Sequence, residues 1–242
     1  MTVFLVIQMT DLMKSTLTDG LQAMELPLHE TQIDTLCAFG EAVVKQNEVM
    51  NLTAITEPAA VAKLHLLDSV SLLKCENLTG KTLIDVGCGA GFPGVPVKIA
   101  CPGVRLTLLD SLGKRMNWLS TILPQLGVEA ECVTARAEEA AAQRRESYDF
   151  ASSRAVARLN VLLELTAPFV KVGGAVLAMK GSAAMEELAE AKNAIAKLGL
   201  KLENVHHFPV DGADHAVIVL RKVSPTPAQY PRRFNKIKQF PL

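Results

Sequence analysis

Apolar positions recur at helical spacing through the first third of the chain and at strand spacing beyond it. From Pro27 to Met50 the residues Leu28, Ile33, Leu36, Phe39, Val43 and Met50 mark one helix, with Pro27 tolerated at its start. A second helix follows Glu57, with Pro58 in its first turn and a stripe of Val61, Leu64, Leu67, Val70 and Leu73 running up to Lys74. Helices therefore dominate residues 10–75. From Lys81 the texture changes to short β-rich runs at Thr82–Val86, Arg105–Leu109, Ala130–Thr134, Tyr148–Ser152 and Ala175–Met179. Helical stretches alternate with them at Gly94–Ala100, Leu112–Leu126, Leu159–Val170 and Met185–Leu198, several stopped by glycine. Two last strands, about Leu202–Phe208 and His215–Arg221, are joined by Pro209–Asp214, too short for a crossover helix, so they are expected to be antiparallel. The pattern predicts an α/β fold: a mostly parallel seven-stranded sheet with an antiparallel last strand. It divides into an N-terminal helical portion (1–76), a sheet domain (77–223) and a C-terminal tail (224–242) that opens with a proline-rich stretch. No internal repeat is visible.

Composition narrows the class. Of 242 residues, 49% are hydrophobic and 21% charged, which supplies a core and excludes disorder as the main state. Twenty-five basic and twenty-five acidic residues leave no net charge, which argues against a protein coated with nucleic acid. The distribution is uneven: Arg221, Lys222, Arg232, Arg233, Lys236 and Lys238 give residues 221–242 six positive charges and no acid, leaving the rest six negative. A polyanion is thus expected to meet the chain near its end. Five cysteines, never closer than thirteen residues apart, suggest neither a disulfide framework nor a zinc site, and reduced thiols fit a cytoplasmic protein. Val3–Ile7 is too short to span a membrane and has neither the basic flank nor the cleavage site of a signal peptide. Because Met9 and Met13 follow closely, Met1–Gln8 reads as an upstream extension of the natural start.

Candidate chemistry begins at Gly87-Cys-Gly89-Ala-Gly91-Phe-Pro-Gly94, a glycine-rich turn between a strand and a helix. Such a turn lets backbone approach a ligand closely. From Gly89 the string is also a literal GxGxxG, so a dinucleotide is the first rival. Asp85, two residues before the first glycine, argues against a pyrophosphate; S-adenosylmethionine has no phosphate and carries cationic groups that a carboxylate attracts. Asp110 ends the next strand twenty-three residues after Gly87, where βαβ geometry delivers a carboxylate to the two ribose hydroxyls of an adenosine.

The chain from Asn51 onward also resembles the bacterial 16S rRNA (guanine-N7) methyltransferase G family, also known as glucose-inhibited division protein B. The residues that carry the resemblance are Asn51-Leu-Thr53, His65-Leu-Leu-Asp68-Ser69, Asp85 to Gly94, Leu109-Asp-Ser-Leu-Gly-Lys-Arg115, Arg136-Ala-Glu138, Ser153-Arg-Ala-Val-Ala157, Met179-Lys-Gly181 and Tyr230-Pro-Arg232. The resemblance implies a Rossmann-like class I methyltransferase fold with an N-terminal helical portion. It implies S-adenosylmethionine contacts at Gly87, Phe92, Ala137, Glu138 and Arg154, to which the residues themselves add Asp85, Gly89 and Asp110. It further implies action on guanine N7, with 16S rRNA or a small-subunit precursor as partner, by a monomer that needs no metal or membrane. Two departures stand out: Cys88 where the family usually has Ser or Thr, and Phe234–Phe240 in place of a Gly/Pro-rich ending.

Other residues have both a chemical and an ordinary structural reading. Cys88 as a nucleophile is disfavoured, since a nitrogen target with an exposed lone pair needs no covalent activation. His65 and Asp68, three apart on a helix, could orient a nucleotide or simply bond locally. Lys114 and Arg115 suit either a solvated face or RNA phosphates. Arg154 and Arg158 lie beyond the fourth strand, at the sheet edge where ligands bind, and are read with His65 as substrate-positioning residues. His206 and His207 read as strand residues, and the tail cations as phosphate contacts. The rival functions are a methyltransferase of the same fold acting on another RNA, a protein or a small molecule, a non-catalytic RNA-binding module, and a nicotinamide-dependent oxidoreductase.

Overall fold

The structure is a computed structural model. It describes the backbone of residues 2–210 and 212–242, and side chains for 11–208, 212 and 214–242. The reading of Met1–Gln8 as an extension lies outside the residues described in full. The chain begins with helices α1 (Thr2–Ala23) and α2 (Glu30–Met50). The stripe expected as one helix from Pro58 is instead a composite of α3 (Pro58–Val61), a π-helical turn (Ala62–Leu67), α4 (Asp68–Val70) and a 3-10 turn (Ser71–Lys74). Carbonyls there have partners outside the ordinary helical ladder: Leu64 O accepts from Arg154 Nη1 at 2.9 Å and His65 O from Ser69 Oγ at 2.5 Å. Single π turns inside helices recur at functional sites.

The remainder runs β1 (Thr82–Val86), α5 (Gly94–Ala100), β2 (Arg105–Asp110), α6 (Gly113–Gln125), β3 (Glu131–Thr134), α7 (Ala137–Gln143), β4 (Tyr148–Arg154), α8 (Leu159–Thr166), β5 (Val170–Lys180), α9 (Ala184–Glu190), α10 (Lys192–Lys197), β6 (Leu200–Val210), β7 (Ala213–Lys222) and α11 (Phe234–Gln239). Seven strands form one sheet in the order β3-β2-β1-β4-β5-β7-β6. The first five are parallel, and β7 runs antiparallel between β5 and β6. Two short helices carry no apolar stripe long enough to read from sequence, α7 in an Ala/Glu run and α11 in the charged tail.

Strand alternation sorts the core onto two faces. Leu83, Leu108, Phe150 and Leu177 face α1, α2, α5 and α6, while Ile84, Leu109, Ala151 and Val176 face α7 to α10. Asp85 shares a face with Leu83, which turns its carboxylate toward α5. Phe39 of α2, fully buried, packs its ring 5.3 Å from that of Phe92, so the helical portion is tied to the glycine turn.

The tail is not the free cationic end that its charge suggested. Arg232 turns inward to Glu164, which is 0% exposed, with contacts from its backbone N, Nε and Nη2 of 2.8, 2.8 and 2.5 Å. Lys222 is buried against Glu146 at 2.9 Å, and Arg221 pairs with Glu76 and Glu203. Arg145 holds the carbonyls of Thr226, Pro227 and Tyr230, and Ile237 of α11 packs on Val161 and Leu165 of α8. An unpaired buried charge costs several kcal/mol, so these cations are spent on folding; Arg233, Lys236 and Lys238 remain exposed.

Candidate active site

Strand order reverses between β1 and β4, and open α/β sheets bind ligands in the crevice at that point, beyond the carboxyl ends of the strands. A cleft of about 820 Å³ lies there. Its walls are the glycine turn (Gly87 to Ala90, and Phe92), the loop after β4 (Arg154 to Ala157) and the end of β5 (Met179 to Gly181). Leu52, Thr53, Ile55, Leu64, His65 and Asp68 enter from the helical portion, with Arg115, Glu187 and His215.

Gly87 has φ +71°, and a Cβ there would lie 2.4 Å from Val156 Cγ2, so only glycine lets the β1 and β4 loops meet. Asp85 sits behind the turn, 0% exposed. Its Oδ2 accepts from Gly94 N at 2.8 Å and its Oδ1 from Ser152 Oγ at 3.1 Å. Burial pushes its carboxyl up to about 7. Asp85 therefore holds the turn rather than touching a ligand, and direct attraction of a cationic group is not its role. A pyrophosphate is disfavoured instead by the geometry of the helix start. In α5, Gly94 N is bonded to Asp85, Val95 N donates to Gly91 O at 2.8 Å, and Pro96 has no N–H, so the first turn offers no free donor to a phosphate.

Asp110, 8% exposed, accepts from Gly89 N at 3.0 Å and Leu112 N at 2.9 Å. Each carboxylate oxygen keeps a second lone pair for a hydroxyl. Space in front of Gly89 is open, the nearest atom to a Cβ there being Arg115 Nη1 at 3.8 Å. A backbone cradle with a carboxylate behind it, beside a helix start with no free N–H for a phosphate, fits S-adenosylmethionine. Ala137 and Glu138 open α7 beyond β3, half-buried, and like Asp85 and Asp110 do not line the cleft.

Arg154 organises the mouth. Nη1 donates to Leu64 O at 2.9 Å and to Asp68 Oδ2 at 2.8 Å, Nη2 reaches His65 Nδ1 at 3.2 Å, and the guanidinium lies over the Phe92 ring at 5.1 Å. Nδ1 lies 3.2 Å from Leu64 O as well, and Nε2 faces Thr53 Oγ1 at 2.8 Å; a guanidinium can only donate, so the tautomer that bonds to Arg154 carries its proton on Nε2. The imidazole also stacks on Phe92 with centroids 4.7 Å apart. Burial, and then the Arg154 charge, lower the pKa of His65 to about 4, so it is neutral at physiological pH. Burial alone would raise the Asp68 carboxyl, but hydrogen bonds and charge from His215 and Arg154 outweigh it and hold it below the usual range. His215 Nδ1 lies 2.8 Å from Asp68 Oδ1, and that bond raises the histidine's pKa.

Not every expected residue comes here. Arg158 pairs with Glu186 and Glu190 at 2.7 Å and is absent from the cleft wall. Lys114 is exposed, whereas Arg115 lines the cleft. The Cys88 thiol is buried against Met116 Sδ, and burial raises its pKa well above the ordinary thiol value, which disarms it as a nucleophile. His206 and His207 are β6 residues. Sequence reasoning gave no role to Thr53, Lys180, Glu187 or His215. Thr53 and Lys180 stood inside strings shared with the resembled family, while Glu187 and His215 carried no signal.

The sequence profile of the rRNA small subunit methyltransferase G family matches residues 32–216. The Ribosomal RNA small subunit methyltransferase G of Alkaliphilus metalliredigens (strain QYMF) is 42% identical over 226 residues, 91% of this chain and 95% of that one. Among solved structures, the precorrin-6y C5,15-methyltransferase of Geobacter metallireducens GS-15 matches with a TM-score of 0.51 and 14% identity over 73% of this chain and 92% of its own. The TYW2 protein of P. horikoshii, solved with MeSAdo, matches with 0.53 and 14% over 65% of this chain and 62% of its own. Both structures share the methyltransferase fold. With the profile spanning most of the chain and six of the eight strings that carry the resemblance reaching one cleft at the sheet's switch point, the chain belongs to the rRNA small subunit methyltransferase G family.

Proposed function

We propose that this cleft binds S-adenosylmethionine and directs its methyl group to N7 of a guanine in small-subunit rRNA. The observation that carries the reading is convergence: Thr53, His65, Asp68, Gly87, Phe92, Arg154 and Lys180, from five separate stretches of chain, line one cavity. Bound cofactor supplies an electrophilic methyl whose carbon–sulfur bond breaks toward sulfur as the N7 lone pair forms the new bond. Guanine N7 has no proton to lose, so no general base is required of the protein. The work left to the chain is placement, which can lower a barrier by roughly 7 to 11 kcal/mol when the reacting atoms are held in line.

The glycine turn would let the cofactor lie against backbone at Gly87 and Gly89. Asp110 would accept from the ribose hydroxyls, with Ala137 and Glu138 toward the adenine and Phe92 and Arg154 at the reacting end. The Arg154, His65 and Asp68 network fixes the rim with one neutral imidazole rather than a second cation, which limits repulsion of a sulfonium. On this reading the protein acts as a monomer in the cytoplasm, on 16S rRNA or a precursor of the small subunit. Among the described residues no helix is long and apolar enough to cross a membrane. Nucleoside digestion of rRNA from cells lacking the protein tests the proposal: one N7-methylguanosine should be missing from the small-subunit rRNA, and an unchanged content refutes it.

A further inference from the structure

The cleft wall at the end of β5 holds an ion pair to which methyl transfer gives no chemical role. Lys180 ends β5 and Glu187 lies on α9; both line the cleft, their side chains 7% and 14% exposed. Glu187 Oε2 accepts from Lys180 Nζ at 2.8 Å and from Leu159 N at 2.7 Å. Lys180 Nζ is fixed in turn by Ala157 O at 2.5 Å. Glu187 Oε1 takes no hydrogen bond among the described residues. No fully buried side-chain oxygen in the described chain lacks a partner, so Oε1 keeps part of its surface exposed. The result is a carboxylate locked in position by one oxygen and presenting the other.

Resting on the reading that this cleft methylates guanine N7, we infer that Glu187 is the residue that selects guanine, accepting hydrogen bonds from N1–H and the N2 amino group. N7 and the N1–H/N2–H edge lie at opposite ends of the purine. With N7 turned toward the glycine turn, that edge faces the wall of β5 and α9, two strands away from β1. Guanine alone among the standard bases offers two adjacent donors to a carboxylate, whereas adenine presents an acceptor at N1 that a carboxylate repels. Methylation at N7 places a positive charge on the ring and makes N1–H a stronger donor. The Glu187 contact therefore tightens as the methyl moves, the condition for raising the rate rather than only the affinity. Lys180 acts through Glu187 as a positioning residue, holding its orientation and balancing its charge.

The test compares small-subunit rRNA carrying guanine or inosine at the methylated position, since inosine lacks only the N2 amino group. Wild-type protein should methylate the inosine substrate about 10- to 100-fold less efficiently in kcat/KM, the range expected for one lost hydrogen bond to a charged group. Glu187→Gln keeps an oxygen for Leu159 N but presents an amide donor to the base. It should lower kcat/KM on guanine by about 100-fold and erase the preference over inosine, with S-adenosylmethionine affinity by calorimetry within about twofold of wild type. Equal rates of the wild type on both bases, or a variant that keeps the wild-type preference, would overturn the assignment while leaving the methyltransferase reading intact. Loss of cofactor affinity in the variant without loss of preference would assign Glu187 to the cofactor and overturn it too. A wild type that methylates neither RNA defeats the underlying reading and this one with it. If Glu187→Gln does not fold, the base comparison in wild type decides alone.

Discussion

Two arginine–carboxylate pairs in this protein share their exposure and differ in use. Arg154–Asp68 and Arg232–Glu164 each have an arginine side chain 17% exposed and a carboxylate buried to 5% or less. Among the described residues Glu164 serves Arg232 alone, through three contacts that close the tail onto α8. Asp68 is divided between Arg154 and His215, its arginine is also bonded to a helix carbonyl and an imidazole, and all but the carbonyl are side chains on a cleft. A buried ion pair is thus no mark of a site. The mark is a charge shared among several partners that border open space, where a change in one contact is felt by the others.

The largest effect is expected at the tail. Arg232→Met removes the guanidinium from Glu164, leaving it one backbone N–H and no opposite charge, and should destabilise the fold by about 3 to 5 kcal/mol in urea unfolding, with cofactor affinity of the folded protein unchanged. Next comes the cleft under acid. His65 stays neutral in the folded protein down to about pH 4, while the unfolded chain takes the proton near the ordinary value of 6.5. The unfolded state binds more protons across that window, so stability contributed at neutral pH is lost as pH falls from 6.5 to 4. Asp85, raised to about 7, works oppositely, its contribution being lost as pH rises toward 7. A difference measurement isolates His65: the stability gap between wild type and His65→Gln should narrow by up to about 3 kcal/mol from pH 6.5 to 4. A constant gap would mean that His65 is not held neutral.

Asp68→Asn should lower methyl transfer about 100-fold, some 2.7 kcal/mol, because misplacement of the rim costs rate more than stability. Its urea midpoint should fall less than that of Arg232→Met, and the reverse ranking would erase the distinction between the two pairs. The smallest effect belongs to the exposed tail cations: replacing Arg233, Lys236 and Lys238 with alanine should flatten the logarithmic salt dependence of RNA affinity by about 2 units. An unchanged slope would shift the RNA contact to Lys114 and Arg115.

These pairs also measure how far the sequence could be read. Thr82–Val86 and Gly94–Ala100 have the bounds that periodicity predicts, because a buried strand and a glycine-started helix are local patterns. The antiparallel end of the sheet was legible from the brevity of one connection. Long-range pairing was not: nothing near Arg232 in sequence points to Glu164, sixty-eight residues away, and nothing near His215 points to Asp68, one hundred and forty-seven away. Charge counting therefore overstated the tail as an RNA contact and missed His215 altogether. Asp85 was singled out correctly as unusual, but for a contact that its complete burial prevents. At Ala62–Leu67 the apolar stripe was real while the helix was not regular, since spacing does not report a π turn that hydrogen bonds from Arg154 and Ser69 accompany.

Methyl transfer to guanine N7 at the switch-point cleft can be measured directly with purified protein. Small-subunit rRNA or precursor particles from cells lacking the protein are incubated with S-adenosylmethionine labelled in the methyl group and then digested to nucleosides. Label is expected in 7-methylguanosine alone, near one per rRNA and strongly reduced with Arg154→Ala; label in another nucleoside, or full transfer by Arg154→Ala, would overturn the assignment of this cleft.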